Sequence, residues 1–123
     1  MTDVRIYQVP AQPGLDPITV FVEQYEPGRG RVTLRCYASA WTAYWGSHGS
    51  GSVEEFFCSC NIDYVTDNLI WGLNGLFTSH KTEKNHRLYL GRIVEAVQEF
   101  LRSNPSLRSQ HELSPLRGDP PPN

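Results

Sequence analysis

From Ile18 the chain alternates: Ile18, Val20 and Val22 share one face of an extended strand, and Thr19, Phe21 and Glu23 share the other. Glu26-Pro27-Gly28-Arg29-Gly30 then supplies a Pro-Gly turn and a second glycine able to take positive φ. Alternation resumes from Arg31 to Tyr37 with Val32, Leu34 and Cys36 inward, so the two strands read as a hairpin. After Ala38-Ser39-Ala40, the residues Trp41, Ala43 and Trp45 alternate with Thr42, Tyr44 and Gly46, which predicts a third antiparallel strand and a meander. Val4 to Val9 is expected to add an edge strand that Pro10 ends.

The run Gly46-Ser47-His48-Gly49-Ser50-Gly51 interrupts the sheet pattern and reads as a flexible connector. Ser52-Val53-Glu54-Glu55 fits a capping box, with Ser at the N-cap and Glu at N3, so a helix should begin at about Val53. A break near Asn61 precedes a second helix through Ile62, Val65, Leu69 and Ile70, with a left-handed stop near Asn74-Gly75. From about Thr82 to Ser103, Leu90, Ile93, Val94, Val97, Phe100 and Leu101 form one apolar stripe at helical spacing, and Pro105 bars continuation. Strands followed by helices, without βαβ alternation, give an α+β class: an antiparallel three- to four-stranded β-meander followed by two or three helices packed on one face. Residues 1–103 are expected to form this single domain. Residues 104–123, with five prolines and few large apolar side chains, are expected to be a Pro-rich disordered tail.

Composition narrows the chemistry. The 123 residues carry 11 basic and 13 acidic side chains, a net charge of −2, which argues against a nucleic-acid binder that works through bulk charge. A chain of this length buries a core without metal or disulfide staples. No run approaches the roughly 18 apolar residues of a membrane span, and Met1-Thr2-Asp3-Val4-Arg5 is unlike a signal peptide, so a cytoplasmic protein with no membrane partner is expected. Cys36, Cys58 and Cys60 cannot all pair within one chain, which fits a reducing compartment.

No constellation reaches the strength of a catalytic or metal motif. On a helix Cys58 and Cys60 would point about 200° apart, and Cys36, His48 and His80 bring no second closely spaced ligand pair. His80, Glu83 and His86 recur every third residue and so fan around a helix, which reads as a solvated first turn. The Gly-Ser loop lacks the GK[ST] ending of a phosphate loop, and Glu54 and Glu55 follow it. The expectation is a protein that is not an enzyme and uses neither metal nor cofactor.

Two surfaces carry more information. Phe21, Tyr37 and Tyr44 fall with Arg31 and Arg35 on the outer face of the meander, suited to stacking bases or gripping a protein. Two plainer accounts compete: helices cover that face and make its aromatics core, or these are ordinary cross-strand pairs with edge arginines. Residues 36–80 contain no Lys or Arg but four acids, Glu54, Glu55, Asp63 and Asp67. Asp63 and Asp67 repel at i, i+4 by a few tenths of a kcal/mol, which fits either an acidic patch for a basic partner or a solvated helix face.

The stretch Arg35-Cys36-Tyr37-Ala38-Ser39-Ala40-Trp41-Thr42-Ala43-Tyr44-Trp45-Gly46, followed by Glu55-Phe56-Phe57 and Asp63-Tyr64-Val65, resembles a group of small phage and prophage accessory proteins of unassigned activity. The resemblance covers roughly residues 17 to 72. It implies a bacterial cytoplasm and the repertoire of such proteins: inhibitors of host defence, such as anti-CRISPR proteins, or helpers in DNA metabolism. The expected function is a stoichiometric binding inhibitor of a host protein or nucleoprotein complex. Glu54, Glu55, Asp63 and Asp67 would meet its basic groups, with Tyr44 and Trp45 as anchors. The alternative is a single-stranded nucleic-acid-binding protein that uses Phe21, Arg31, Arg35, Tyr37 and Tyr44.

Overall fold

A computed structural model describes residues 2–49, 51–71 and 80–103. Four strands, β1 (Asp3–Val9), β2 (Ile18–Glu26), β3 (Arg29–Cys36) and β4 (Ser39–Trp45), precede three helices, α1 (Val53–Ser59), α2 (Ile62–Trp71) and α3 (His80–Ser103). The sheet is an antiparallel meander in the order β1-β2-β3-β4. This is the expected α+β architecture, with the edge strand present. The expected stop at Asn74-Gly75 and the expected tail over residues 104–123 lie outside the described residues.

The period of two decides which face becomes core. Tyr7 and Val9, Ile18, Val20 and Val22, Val32, Leu34 and Cys36, and Trp41, Ala43 and Trp45 are all buried on the inner face. Against them lie Val53 and Phe57 of α1, Val65, Leu69 and Ile70 of α2, and Leu90, Ile93, Val94, Val97 and Leu101 of α3. The apolar stripe of α3 thus meets the sheet as its spacing predicts, although Phe100 is only partly buried. Removing these side chains from water is the main drive for the two-layer arrangement.

Polar side chains satisfy the helix ends where apolar contact alone would leave orphans. Ser52 caps α1: its Oγ accepts from the Glu55 amide at 3.1 Å, and its own amide donates to Glu55 Oε1 at 3.2 Å. At the other end of α1 no glycine or basic side chain of the helix itself covers the last carbonyls. Gln98 of α3 reaches across instead, its Nε2 donating to the carbonyls of Phe57 and Cys60, each at 2.9 Å, and Arg102 donates to the Cys58 carbonyl at 2.8 Å. Two helices of the same layer are thereby joined through a helix terminus.

The β2–β3 connection is the predicted Pro27-Gly28 turn, with Gly28 at φ 84° and Tyr25 bulged out of the register between Gln24 and Glu26. The Gly-Ser segment is pinned rather than loose: His48 N donates to Gly28 O at 2.8 Å, and Gly28 N donates to Gly51 O at 3.2 Å. A Cβ on Gly28 would lie 1.9 Å from the Gly49 carbonyl oxygen, so two backbones approach here because a side chain is missing.

Candidate functional site

The acidic set does not assemble on the surface. Glu54 is turned inward from the first turn of α1 and is almost wholly buried. Its Oε1 accepts from Arg5 Nη2 at 2.7 Å, and its Oε2 accepts from Arg5 Nε and, at 2.7 Å, from the Tyr7 hydroxyl. Gln24 Oε1 completes the cluster by accepting from Arg5 Nη2 and from the Val53 amide. Burial alone would push the Glu54 carboxyl up, but the hydrogen bonds from Arg5 and Tyr7 outweigh it and hold the group below its ordinary range. Burial works against the Arg5 charge in the same way, and Glu54 overcomes it. Glu54 therefore fastens α1 to β1 and is not available to a partner. Glu55 serves the capping box.

Asp67 pairs with Arg87 of α3, which also reaches Glu83 one turn earlier on its own helix. The repulsive i, i+4 spacing of Asp63 and Asp67 has its return in this bridge between helices. Asp63 itself is exposed in the first turn of α2. Trp45 lies on the buried face, where its Nε1 donates to the Tyr64 hydroxyl at 3.1 Å and its ring meets the edge of Phe56. It is a packing residue rather than an exposed anchor.

His86 is not part of a solvated first turn. It accepts a hydrogen bond at Nε2 from Trp41 Nε1 at 2.9 Å, which requires that nitrogen to be unprotonated, and burial lowers its pKa. Glu83 faces Arg87, and the His80 side chain lies outside the described residues. Cys36 is buried within reach of the Tyr89 hydroxyl, and burial pushes the Cys58 thiol up to about 11, the behaviour of packed rather than reactive cysteines. Among the described residues no group of three or more His, Cys, Asp or Glu side chains is placed to hold a metal ion.

The outer face of the sheet is where the sequence-predicted residues do converge. Among the described residues the helices pack on the inner face, and register fixes three rows across the outer one. Val4, Glu23, Arg31 and Tyr44 form the first row, Ile6, Phe21, Thr33 and Thr42 the second, and Gln8, Thr19, Arg35 and Ala40 the third. Val4, Ile6 and Tyr44 are 55%, 57% and 45% exposed. The Arg35 guanidinium lies 5.5 Å from the centre of the Phe21 ring, that of Arg31 5.5 Å from Tyr44, and that of Arg29 5.1 Å from Tyr25. Tyr25 and Tyr44 approach to 6.1 Å between ring centres. Glu23 and Glu26 balance Arg31 and Arg29, and Arg35 has no carboxylate in ion-pair range among the described residues.

Tyr25 and Arg29 were missing from the sequence-derived set. The Pro27-Gly28 turn was the usable signal, because a two-residue loop puts Glu26 opposite Arg29 and carries Tyr25 onto the face of Phe21. Tyr37 leaves the set as a strand residue: β3 ends at Cys36, and Tyr37 begins the turn into β4. The alternation of the sequence runs one position past the strand, since Tyr-Ala carries no turn signal of the usual residue types.

Residues 1–71 match the model of a family described as a phage family, a span that takes in all four strands, α1 and α2. No curated protein and no solved structure matches the chain.

Proposed function

The chain belongs to that phage family, and from this premise we propose that it is a phage accessory protein that binds single-stranded nucleic acid on the outer face of its sheet, without catalysing a reaction, in the cytoplasm of the bacterial host. The observation that carries this is the set of guanidinium–ring pairs, Arg35 with Phe21, Arg31 with Tyr44 and Arg29 with Tyr25, on the face opposite the described helices. Ring faces accept any base by stacking, and a guanidinium parked on a ring can turn to a phosphate at little cost. Thr33 and Thr42, hydrogen-bonded to each other at 3.1 Å between the pairs, offer hydroxyls to sugar or base edges.

The small net charge sets the form of the affinity. With two of the three arginines balanced by glutamates, stacking rather than charge has to supply most of the binding. Fluorescence anisotropy with a labelled oligothymidylate tests this. Phe21→Ala and Tyr44→Ala are each expected to weaken binding by about five- to 150-fold, the loss of one stacked base. The slope of log K against log salt is expected to be no steeper than about −2, as for three phosphate contacts on a single strand. Affinity indifferent to both substitutions would refute the proposal.

Val4 and Ile6 favour a second role on the same face, because aliphatic side chains exposed beside Phe21 are a mark of protein partners. In that role the protein is a stoichiometric inhibitor of a host macromolecular complex, such as an anti-CRISPR. A wild-type protein that ignores oligothymidylate, yet retains a host protein after nuclease treatment of the lysate and loses it on Ile6→Asp, would select this role over the first.

A further inference from the structure

Tyr37 stands at φ 57°, the one residue other than glycine with positive φ among those described. Glycine, asparagine or aspartate normally fills such a position, because a Cβ crowds the carbonyl in the left-handed region. Tyrosine adds a bulky ring to that cost. The fold gives no visible return: the residue is 83% exposed and enters none of the side-chain hydrogen bonds, ring contacts or ion pairs found among the described residues. The turn it occupies is held by its neighbours, since Cys36 pairs with Ser39 across it and Cys36 is buried beneath Tyr89. Strain of this kind persists where the surrounding structure enforces it, and it concentrates at ligand contacts.

Position gives the ring a ligand. Along the direction of β3, Tyr44 stands beside Arg31, Phe21 beside Thr33, Arg35 follows, and Tyr37 comes after Cys36, in the turn at the end of the strand. At about 3.3 Å per residue this line runs roughly 20 Å from the first ring to the last. Arg35, with no carboxylate in ion-pair range and its Nη2 only 3.5 Å from Thr19 Oγ1, lies two residues before the strained tip. We infer that Tyr37 is the terminal stacking station of the sheet face, taking the last base of a bound single strand while Arg35 takes the phosphate that precedes it. The inference rests on the nucleic-acid role of that face.

Chemical logic favours a nucleotide over a protein pocket here because Arg35, two residues before Tyr37 in the chain, has no carboxylate in ion-pair range among the described residues. A phosphate would satisfy it, and a base would cover the ring with no demand on sequence. The ring already stands in solvent, so no contact within the fold has to break when a base covers it.

Two substitutions and two measurements decide the matter. Tyr37→Asn, which suits a left-handed residue, is expected to leave the urea midpoint equal to or above that of the wild type while weakening oligothymidylate binding by at least about fivefold. Tyr37→Phe is expected to keep the wild-type affinity. A lower midpoint for Tyr37→Asn would show that the ring supports the fold, and that result overturns the inference. So does unchanged affinity for Tyr37→Asn, or a loss in Tyr37→Phe equal to that in Tyr37→Asn. A wild-type protein that fails to bind oligothymidylate sinks this inference together with the role of the face. Binding that falls with Phe21→Ala but not with Tyr37→Asn sinks this inference alone.

Discussion

Replacing Glu54 with alanine is expected to destabilise the fold by about 3–5 kcal/mol, the usual consequence of stripping one partner from a buried ion pair. The carboxylate holds both nitrogens of the Arg5 fork and the Tyr7 hydroxyl, and Arg5 is itself largely withdrawn from water. Without Glu54, the Tyr7 hydroxyl loses its acceptor between β1 and α1, and Arg5 is left with the exposed Asp3 carboxylate and Gln24 Oε1. Since a domain of this size is stable by only about 5–15 kcal/mol, the variant should unfold at a much lower urea concentration. Asp63→Ala, on the exposed face of α2, is expected to stay within about 0.5 kcal/mol of the wild type. The double substitution Arg5→Met with Glu54→Leu should regain part of the loss, because it removes the under-paired charge as well as its partner, while the Tyr7 hydroxyl stays without its acceptor.

Acid reports the same cluster. The folded pKa of Glu54 lies below its ordinary value, so the stability it contributes is complete above the ordinary carboxylate range and disappears as pH falls through the folded value. Urea midpoints measured down through that window should therefore fall more steeply for the wild type than for Glu54→Gln. Equal slopes would show that the carboxylate is not held as described.

Gln98→Leu is expected to cost about 2–4 kcal/mol although leucine fills a similar volume in an apolar surrounding, because two helix-terminal carbonyls lose their donor. Gln98 is buried, and its amide donates to both Phe57 O and Cys60 O. Arg102→Ala, which removes one exposed contact to Cys58 O, should cost about 0.5–1.5 kcal/mol. Hydrogen exchange in α1 should accelerate in Gln98→Leu beyond the change in global stability, since the end of that helix frays first. Oligothymidylate affinity measured where the variant is still folded should stay at the wild-type value, because Gln98 lies in the helical layer and not on the outer face. A midpoint unchanged by Gln98→Leu would mean that the carbonyls find other donors.

Local pattern made the sheet readable in advance. Ile18, Val20, Val22, Val32 and Leu34 each follow a period of two that only one register satisfies, and the Pro27-Gly28 turn fixes that register. The start of α1 was equally legible because a capping box is a four-residue signal. What escaped was every interaction between residues far apart in sequence. Glu54 meets Arg5 across 49 positions and Tyr7 across 47, and no window centred on Glu54 contains either. An acid next to another acid at a helix start therefore read as surface. Asp67 likewise found Arg87 only after α2 and α3 had packed. Trp45 alternates in step with Trp41 and Ala43 and is a candidate anchor on sequence, and its burial with them shows that periodicity outweighs the general tendency of tryptophan to act as a binding anchor. On the outer face the sequence supplied Phe21, Arg31, Arg35 and Tyr44 but left open which face the helices take. Glu23, Thr33 and Thr42 on that side are the physical hint, since helices with apolar stripes do not bury a row of hydroxyls and a carboxylate.

The role of the outer face is tested most directly by mapping backbone amide shifts while the wild-type protein is titrated with oligothymidylate. The expected result is a contiguous set of perturbed amides on β2, β3 and β4, centred on Phe21, Thr33, Arg35 and Tyr44, with α2 and α3 unmoved. Shifts centred instead on Asp63, Tyr64 and Asp67, or a spectrum that does not change at saturating oligonucleotide, would contradict it.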